Sequence, residues 1–352
     1  MPVRRGRPRA PVTTPGRGAP VVSVLLPVRD DAEYLDQAVA SILAQTVRDL
    51  EVVAVDDGST DGSAERLDAW ASRDGRVRVL RQAPAGIVAA LERARAAASG
   101  PYLARMDADD VAHEQRFARQ LELLQTDTTL AGCGCGVRYF PDEAVRAGAR
   151  RYEAWLNRTV APDAIEAALF VECPLAHPTF FLRAEAVDAV GGYRDAGWPE
   201  DYDLVLRLWR AGQRLGKVPD VLHRWRERPD RLSRTSAAYA REAFLSCKVH
   251  HLRRSLLTND RACVVWGSGP IGKAFSKALR AAGTRVAAFV ELDPRKLGQT
   301  IHGAPVVDPG QALGYRGPLH LAAVGQKGAR ERIRGVLRAG GFREVSDFVA
   351  VA

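Results

Sequence analysis

Apolar residues along the chain come in short blocks separated by polar, turn-forming segments, and the blocks alternate between two periods. Val21–Val28 (VVSVLLPV) is a near-continuous apolar run, the pattern of a parallel strand buried on both faces. A helix is predicted from about Asp31 to Gln45, followed by the strand LEVVAVDD at 50–57. A second helix is predicted over 63–71, with Ser59, Thr60 and Asp61 as candidate caps. VRVLRQ at 77–82, an alanine-rich helix over 87–99 and PYLARMDADD at 101–110 continue the series. This alternation predicts an α/β fold on a parallel, doubly wound sheet. Further on, 198–212 predicts a helix with Leu204, Val205, Leu208 and Trp209 on one face, and VLHRWRE at 221–227 alternates like a strand. Residues 236–257 hold no Gly or Pro and predict a single helix. At Arg261 the strand pattern restarts with CVVWGSGPIGKAF. The expected division is a disordered basic tail at 1–20, an α/β unit at 21–235, a helical linker at 236–260 and a smaller α/β unit at 261–352. The last unit is expected to fold on its own and to be dispensable for chemistry.

Composition narrows the class. A chain of 352 residues, 46% hydrophobic and 26% charged, suits two globular units. No apolar run is long enough to span a bilayer. The opening twenty residues are basic and rich in Pro and Gly without the apolar segment of a secretory signal, so the expected compartment is the cytoplasm. A net charge of +9 suits nucleic acid, an anionic membrane surface or a phosphorylated substrate. Arg4, Arg5, Arg7, Arg9 and Arg17 place charge where peripheral contact with the inner face of a membrane is the expectation, and no nucleic-acid-binding motif is present. The five cysteines lack the spacing of a disulfide framework; Cys133 and Cys135 fall on one face of a strand and read as buried thiols rather than zinc ligands.

Three acidic groups carry the candidate chemistry, because loops at the carboxyl ends of parallel strands converge on one crevice. Asp56 and Asp57 leave a strand at Gly58; such carboxylates accept from a base imide or a ribose hydroxyl, or equally serve a turn and a helix cap. Asp107 and Asp109 form an Asp-x-Asp, whose oxygens suit a hard divalent ion, although a solvated turn has the same composition. Glu200 and Asp201 open a helix, where acids are also favoured by the macrodipole.

In this order and spacing the segments resemble family 2 glycosyltransferases from about Val21 to Ser236. VSVLLPVRDDAEYLDQAVASILAQT is similar to the family's opening strand and helix, and ARMDADDVAHEQRFARQLELL to its metal motif and following helix. AHPTFFLRAEAVDAVGGYRDAGWPEDYDLVLRLWRAG is similar to its acceptor-side segment. The resemblance implies a nucleotide-sugar-binding catalytic domain of the glycosyltransferase A type and inverting transfer, with Mn²⁺ or Mg²⁺ as cofactor. The implied donor is a nucleoside diphosphate sugar, a UDP-sugar by resemblance, and the acceptor a glycan, lipid-linked or protein group. It further implies that Asp56 and Asp57 hold the nucleoside with Pro27 and Arg29. Asp109 is then the metal ligand, Asp107 a ribose or metal contact, and Asp201 the general base. His113 departs from the proline of many relatives. His177 and Glu200, and His223 and Arg226 on the later strand, are further candidates for acceptor or phosphate contact.

Gly267, Gly269 and Gly272 form G-x-G-x-x-G between a strand and a helix, and Glu291 ends the next strand where a ribose-binding acid would lie. The unit is expected to be half of a double Rossmann fold. It resembles the Rossmann-like domain beside sugar-modifying transferases, including sugar acetyltransferases, and a binding or interaction role is the expectation. Two rival readings remain: an NAD(P)-binding oxidoreductase or epimerase centred on these glycines, and a non-catalytic scaffold.

Overall fold

The computed structural model describes residues 19–352; the arginine-rich start of the chain lies outside the described residues. Eight strands form the first sheet: β1 (Val22–Val28), β2 (Leu50–Asp56), β3 (Val77–Arg81), β4 (Tyr102–Arg105), β5 (Val111–Ala112), β6 (Leu130–Phe140), β7 (Phe181–Arg183) and β8 (Arg214–Arg226). Their order is β3-β2-β1-β4-β7-β6-β8-β5. β3, β2, β1 and β4 form the expected parallel array, and β6 pairs with β8 in parallel further along the sheet. β7 runs antiparallel to β4 and to β6, and β5 antiparallel to β8, so the sheet is mixed. Apolar patterning marks a strand without giving its direction, and the connections decide that.

The strand order reverses beside β1, with β2 on one flank and β4 on the other. Pairing of β1 with β4 stops at Leu25 and Arg105, whereas pairing with β2 continues to Val28 and Asp56. Pro27 therefore lies past the end of β4, where its missing N–H breaks no ladder bond, and a crevice opens at this switch point.

Apolar side chains cover both sheet faces. Helices Ala32–Leu43, Ser63–Arg73 and Arg116–Thr126 close one face over Val24, Leu26, Val52 and Phe117. Helices Ile87–Ala97, Pro162–Ala168 and Glu200–Arg210 close the other over Leu25, Val53, Leu103 and Phe180. The helix Ser63–Arg73 is preceded by Gly62 at φ +94° rather than by a side-chain cap. Asp61 instead accepts from Ala32 N at 2.8 Å and Ser63 N at 3.0 Å, tying two helix starts together.

The segment expected as one helix over 236–257 is broken. A short helix at Leu232–Thr235 and a single 3₁₀ turn at Ala237–Tyr239 precede the helix Arg241–Arg253, with Ala240 extended at φ −67°, ψ 156°. Ser236 Oγ accepts from Ala238 N at 3.3 Å, a local side-chain bond that stops a helix without any Gly or Pro.

The second sheet contains β9 (Cys263–Trp266), β10 (Val286–Val290), β11 (Thr300–Ile301), β12 (Ala304–Val307), β13 (Leu319–Ala322) and β14 (Phe348–Ala350). Its order is β11-β12-β10-β9-β13-β14, all parallel except β11 against β12. Strands flank β9 on both sides, which corrects the expected half fold: β13 and β14 are only four and three residues long and carry little sequence signal.

The two sheets share a core. One apolar cluster runs from Leu103, Tyr202 and Val205 through Cys247 and Leu252 into Val265, Phe289 and Leu321. Lys248 Nζ donates to Val171 O at 2.7 Å on one side and to Val351 O at 3.3 Å on the other. Among the described residues no helix is long and apolar enough to cross a membrane.

Candidate active site

The nucleoside candidates sit at the carboxyl ends of β1 and β2. Asp56 Oδ1 accepts from Ser59 N at 3.1 Å. Asp57 is 3% exposed and accepts from Gln82 Nε2 at 2.7 Å and from Ala85 N and Gly86 N at 2.8 Å, with Arg29 Nη1 at 3.7 Å. Its carboxylate thus anchors the loop after β3. Gly58, at φ +73°, lies so near Pro84 that a Cβ would stand 2.6 Å from its ring. The glycine is required by φ and by close packing together.

The acidic loop after β4 gathers three carboxylates, not two. One oxygen each of Asp107, Asp109 and Asp110 lies within 4.8 Å of the others. Asp107 is ion-paired with Arg105, and burial, which raises its pKa, is outweighed by that guanidinium so that its carboxyl is held below the usual range. Asp109 and Asp110 are each pushed up to about 8, first by burial and then by neighbouring carboxylates. Asp110, which sequence reasoning missed, is fully enclosed and accepts from His223 Nε2 at 2.7 Å and from Arg226 N at 2.7 Å.

His223 and Arg226 therefore do not fit the direct contacts expected of them. Arg116 Nη1 stands 3.1 Å from His223 Nδ1 and can only donate, which leaves the proton on Nε2, facing Asp110. Burial and then Arg116 hold the imidazole neutral, its pKa well below the ordinary value. The ring supports Asp110 from behind. Arg226 Nε donates to Asp109 O at 2.6 Å and Nη2 to Gln37 Oε1 at 2.7 Å, while its guanidinium stacks on Tyr34 and Phe140 at 4.2 and 4.4 Å. It clamps the acidic loop to the helix after β1.

Across the crevice, Glu200 and Asp201 begin the helix Glu200–Arg210. Glu200 is 2% exposed and accepts from Tyr239 Oη at 2.6 and 2.9 Å, with His177 Nδ1 at 3.4 Å; His177 Nε2 in turn meets Tyr193 Oη at 3.1 Å. These enclosed groups are a support network rather than the contacts with acceptor or phosphate expected of Glu200 and His177. Burial raises the Glu200 pKa, yet the bonds from His177 and Tyr239 keep it below its ordinary value. Asp201 remains partly exposed and its Oδ1 accepts from its neighbour Tyr202 N at 2.7 Å. Burial, then repulsion by Glu200, pushes its carboxyl up to about 8.

A segment rich in arginine borders the acids. Arg228 reaches Asp31 Oδ1 at 2.7 Å and, through Nε, Asp109 Oδ2 at 3.3 Å, while Arg231 lies over Trp225 at 4.5 Å and Tyr139 at 5.6 Å. A cavity of about 360 Å³ lies beside it, bounded by Asp30, Asp31, Tyr34, Asp61, Arg226 and Arg228. The run RWRERPDRLSR was the available signal for these arginines; no local pattern marks Arg105 or Tyr239.

In the second unit, Gly267 has φ +105° and a Cβ on Gly272 would lie 1.9 Å from Gly267 O, whereas a Cβ on Gly269 would meet nothing within 4 Å. Two of the three glycines therefore serve the strand-to-helix turn itself. Glu291 accepts from Ser268 Oγ at 2.5 Å and Lys296 Nζ at 3.0 Å. These partners outweigh burial and hold it down to about 2.

The sequence profile described as "Glycosyl transferase family 2" matches residues 23–191. The putative glycosyltransferase EpsE of Bacillus subtilis (strain 168) is 29% identical over 227 residues, 63% of this chain and 78% of the relative. Two further curated relatives are spanned over 63 and 65% of their length. Among solved structures, the mannosyltransferase PcManGT from Pyrobaculum calidifontis, in complex with GDP-Man and Mn²⁺, superposes with a TM-score of 0.53 at 22% identity, covering 75% of this chain and 69% of that one. S. aureus TarS 1-349 in complex with UDP-GlcNAc gives 0.55 at 15% identity, covering 73 and 71%. The reversal of strand order beside β1, the acidic loop after β4 and these matches agree: the chain carries a family 2 glycosyltransferase domain on an A-type fold.

Proposed function

We propose that the protein transfers a sugar from a nucleoside diphosphate donor to an acceptor hydroxyl with inversion, aided by a divalent cation. The observation that carries this reading is that the Asp107–Asp109–Asp110 cluster and the Glu200–Asp201 pair face one crevice from its two sides, with Arg105 interacting with acids of both groups. The nucleoside is assigned to the pocket of Pro27, Arg29 and Asp56, with Asp57 holding its wall. Of the three clustered acids, Asp110 is committed to His223 and Arg226, so Asp109 and Asp107 are the ligands for Mn²⁺ or Mg²⁺. Their hard oxygens and crowded negative charge fit such an ion, which when bound offsets charge on the leaving diphosphate. Arg228 and Arg231 stand on the same side and supply further positive charge there.

Asp201 is the general base: one oxygen takes the acceptor proton while the hydroxyl attacks opposite the leaving group, which inverts the anomeric centre. Uridine is the favoured nucleoside; TarS was solved with UDP-GlcNAc and PcManGT with GDP-Man, so both bases belong in the assay. The acceptor is a glycan, lipid-linked or protein hydroxyl, and the basic start of the chain supports contact with an anionic membrane surface at the cytoplasmic face. The second unit is read as a binding or assembly module.

The test is calorimetry of UDP and GDP with Mn²⁺ or Mg²⁺ on the wild type and on Asp109→Ala. One diphosphate is expected to bind only with metal, and the variant to lose at least about tenfold in affinity, roughly 1.4 kcal/mol. Equal, metal-independent binding in both proteins would sink the assignment.

A further inference from the structure

Arg105 ends β4 on the face covered by the helix Glu200–Arg210, and its side chain is 3% exposed. Its Nη1 is paired with Asp107, yet Nε donates a hydrogen bond to no acceptor among the described residues. A buried charged N–H without an acceptor is costly to maintain. The polar groups nearby are already committed. Asp110 is held by His223 and Arg226, Glu200 by Tyr239 and His177, and His177 by Tyr193. Electrostatically the guanidinium acts on Asp107 and Asp110 on one side and on His177 and Asp201 on the other. It stands between the metal-binding acids and the general base.

We propose that Arg105 is the residue that reads the transferred sugar, its guanidinium donating, from the unpartnered Nε above all, to oxygens on the sugar ring of the bound donor. This rests on the transferase reading above. In an in-line displacement the ring lies between the leaving diphosphate and the attacking hydroxyl, and Arg105 is the cation that acts on the acids assigned to each of them. The attached Asp107 carboxylate supports the choice of sugar over phosphate. A guanidinium paired with a carboxylate offers donors beside an acceptor, the complement of neighbouring hydroxyls, and the carboxylate repels a phosphate. The diphosphate has its own cations in the metal, Arg228 and Arg231.

The test uses the full chain with Mn²⁺ and two probe pairs, UDP with UDP-GlcNAc and GDP with GDP-mannose, on the wild type, Arg105→Lys and Arg105→Gln. Because Arg105 is paired with Asp107, affinity of the variants for the free diphosphate is expected to fall, but by clearly less than the loss in sugar-nucleotide turnover. Sugar-nucleotide turnover, as kcat/KM, is expected to fall at least tenfold, and the wild-type preference between UDP-GlcNAc and its 4-epimer to shrink. Lysine should recover part of the loss, because it restores a donor without the fork. A variant that loses diphosphate and sugar nucleotide equally, or keeps both turnover and epimer preference, overturns the assignment. Should neither variant fold, the wild type crystallised with Mn²⁺ and the bound sugar nucleotide decides it: a sugar oxygen within hydrogen-bond distance of Nε or Nη1 supports the proposal, and a phosphate contact or none overturns it. Absence of any diphosphate binding by the wild type is a different failure, that of the transferase reading itself.

Discussion

Asp109 and Asp110 are adjacent and chemically identical, but their partners differ. Asp110 has both oxygens bonded by His223 and a backbone N–H, which fixes the loop, whereas the Asp109 carboxylate has the ion pair with Arg228 and stays available to a ligand. The same division recurs across the crevice, where Glu200 is saturated and Asp201 keeps a free oxygen. Its carboxyl, pushed up to about 8, is protonated below that pH and unprotonated above it, and only the unprotonated form is a base. At saturating Mn²⁺, kcat/KM is expected to rise up to about tenfold per pH unit on the acid side and to level off above about pH 8. Asp201→Asn is expected to bind donor within a few-fold of wild type but to lose about 10²–10⁴-fold in transfer, and to lose this acid limb with it. Near wild-type transfer by that variant, or retention of the donor's anomeric configuration in the product, would remove Asp201 from the role.

At the scale of the element, the glycine turn before the helix Pro270–Ala281 separates two explanations that share one motif. If the turn geometry is what requires glycine, the positions should differ sharply. Gly272→Ala would drive a methyl into Gly267 O at 1.9 Å, a backbone atom that cannot step aside, whereas Gly269 has φ −74° and open space. Overpacking of this kind costs about 1–3 kcal/mol or more, and thermal unfolding of Gly272→Ala should show it. Gly269→Ala is expected to stay within about 0.5 kcal/mol of wild type. Equal loss in both variants would mean that the turn is not read correctly.

The whole molecule is held by the helix Arg241–Arg253. Its Cys247, Val249 and Leu252 share a core with Tyr202 and Val205 of the catalytic unit and with Phe275, Leu279 and Val349 of the second unit. Asp203, just inside the helix Glu200–Arg210, accepts from His251 Nε2 at 3.0 Å, so this helix also touches the element that carries Asp201, the proposed general base. Ending the chain at Thr258 removes the second unit's share of that core and exposes apolar surface. The truncated protein is expected to unfold at a lower temperature and to bind a hydrophobic dye, while its folded fraction still binds donor, since every acid of the site precedes residue 236. A truncation as stable as the full chain would restore the picture of two independent units.

The sequence by itself determined the class of fold and the residues that meet the crevice. Buried strands are apolar throughout, so their blocks stand out in VVSVLLPV and LEVVAVDD, and the acids at their ends cannot be anywhere but at the strand mouths. Asp109 and Asp201 were therefore legible as candidates, with the resemblance supplying their order. Only the tertiary structure decided which acid is free and which is committed, because that depends on partners distant in the chain: His223 is 113 residues from Asp110, and Tyr239 is 39 from Glu200. Strand direction, the break at Ala240 and the second unit's full set of strands were likewise illegible, since direction and short strands leave no periodic trace. The same reason hid Arg105. An arginine at a strand end looks like any surface cation until the fold buries its guanidinium beside the acids, paired with Asp107 and with Nε left without a partner among the described residues.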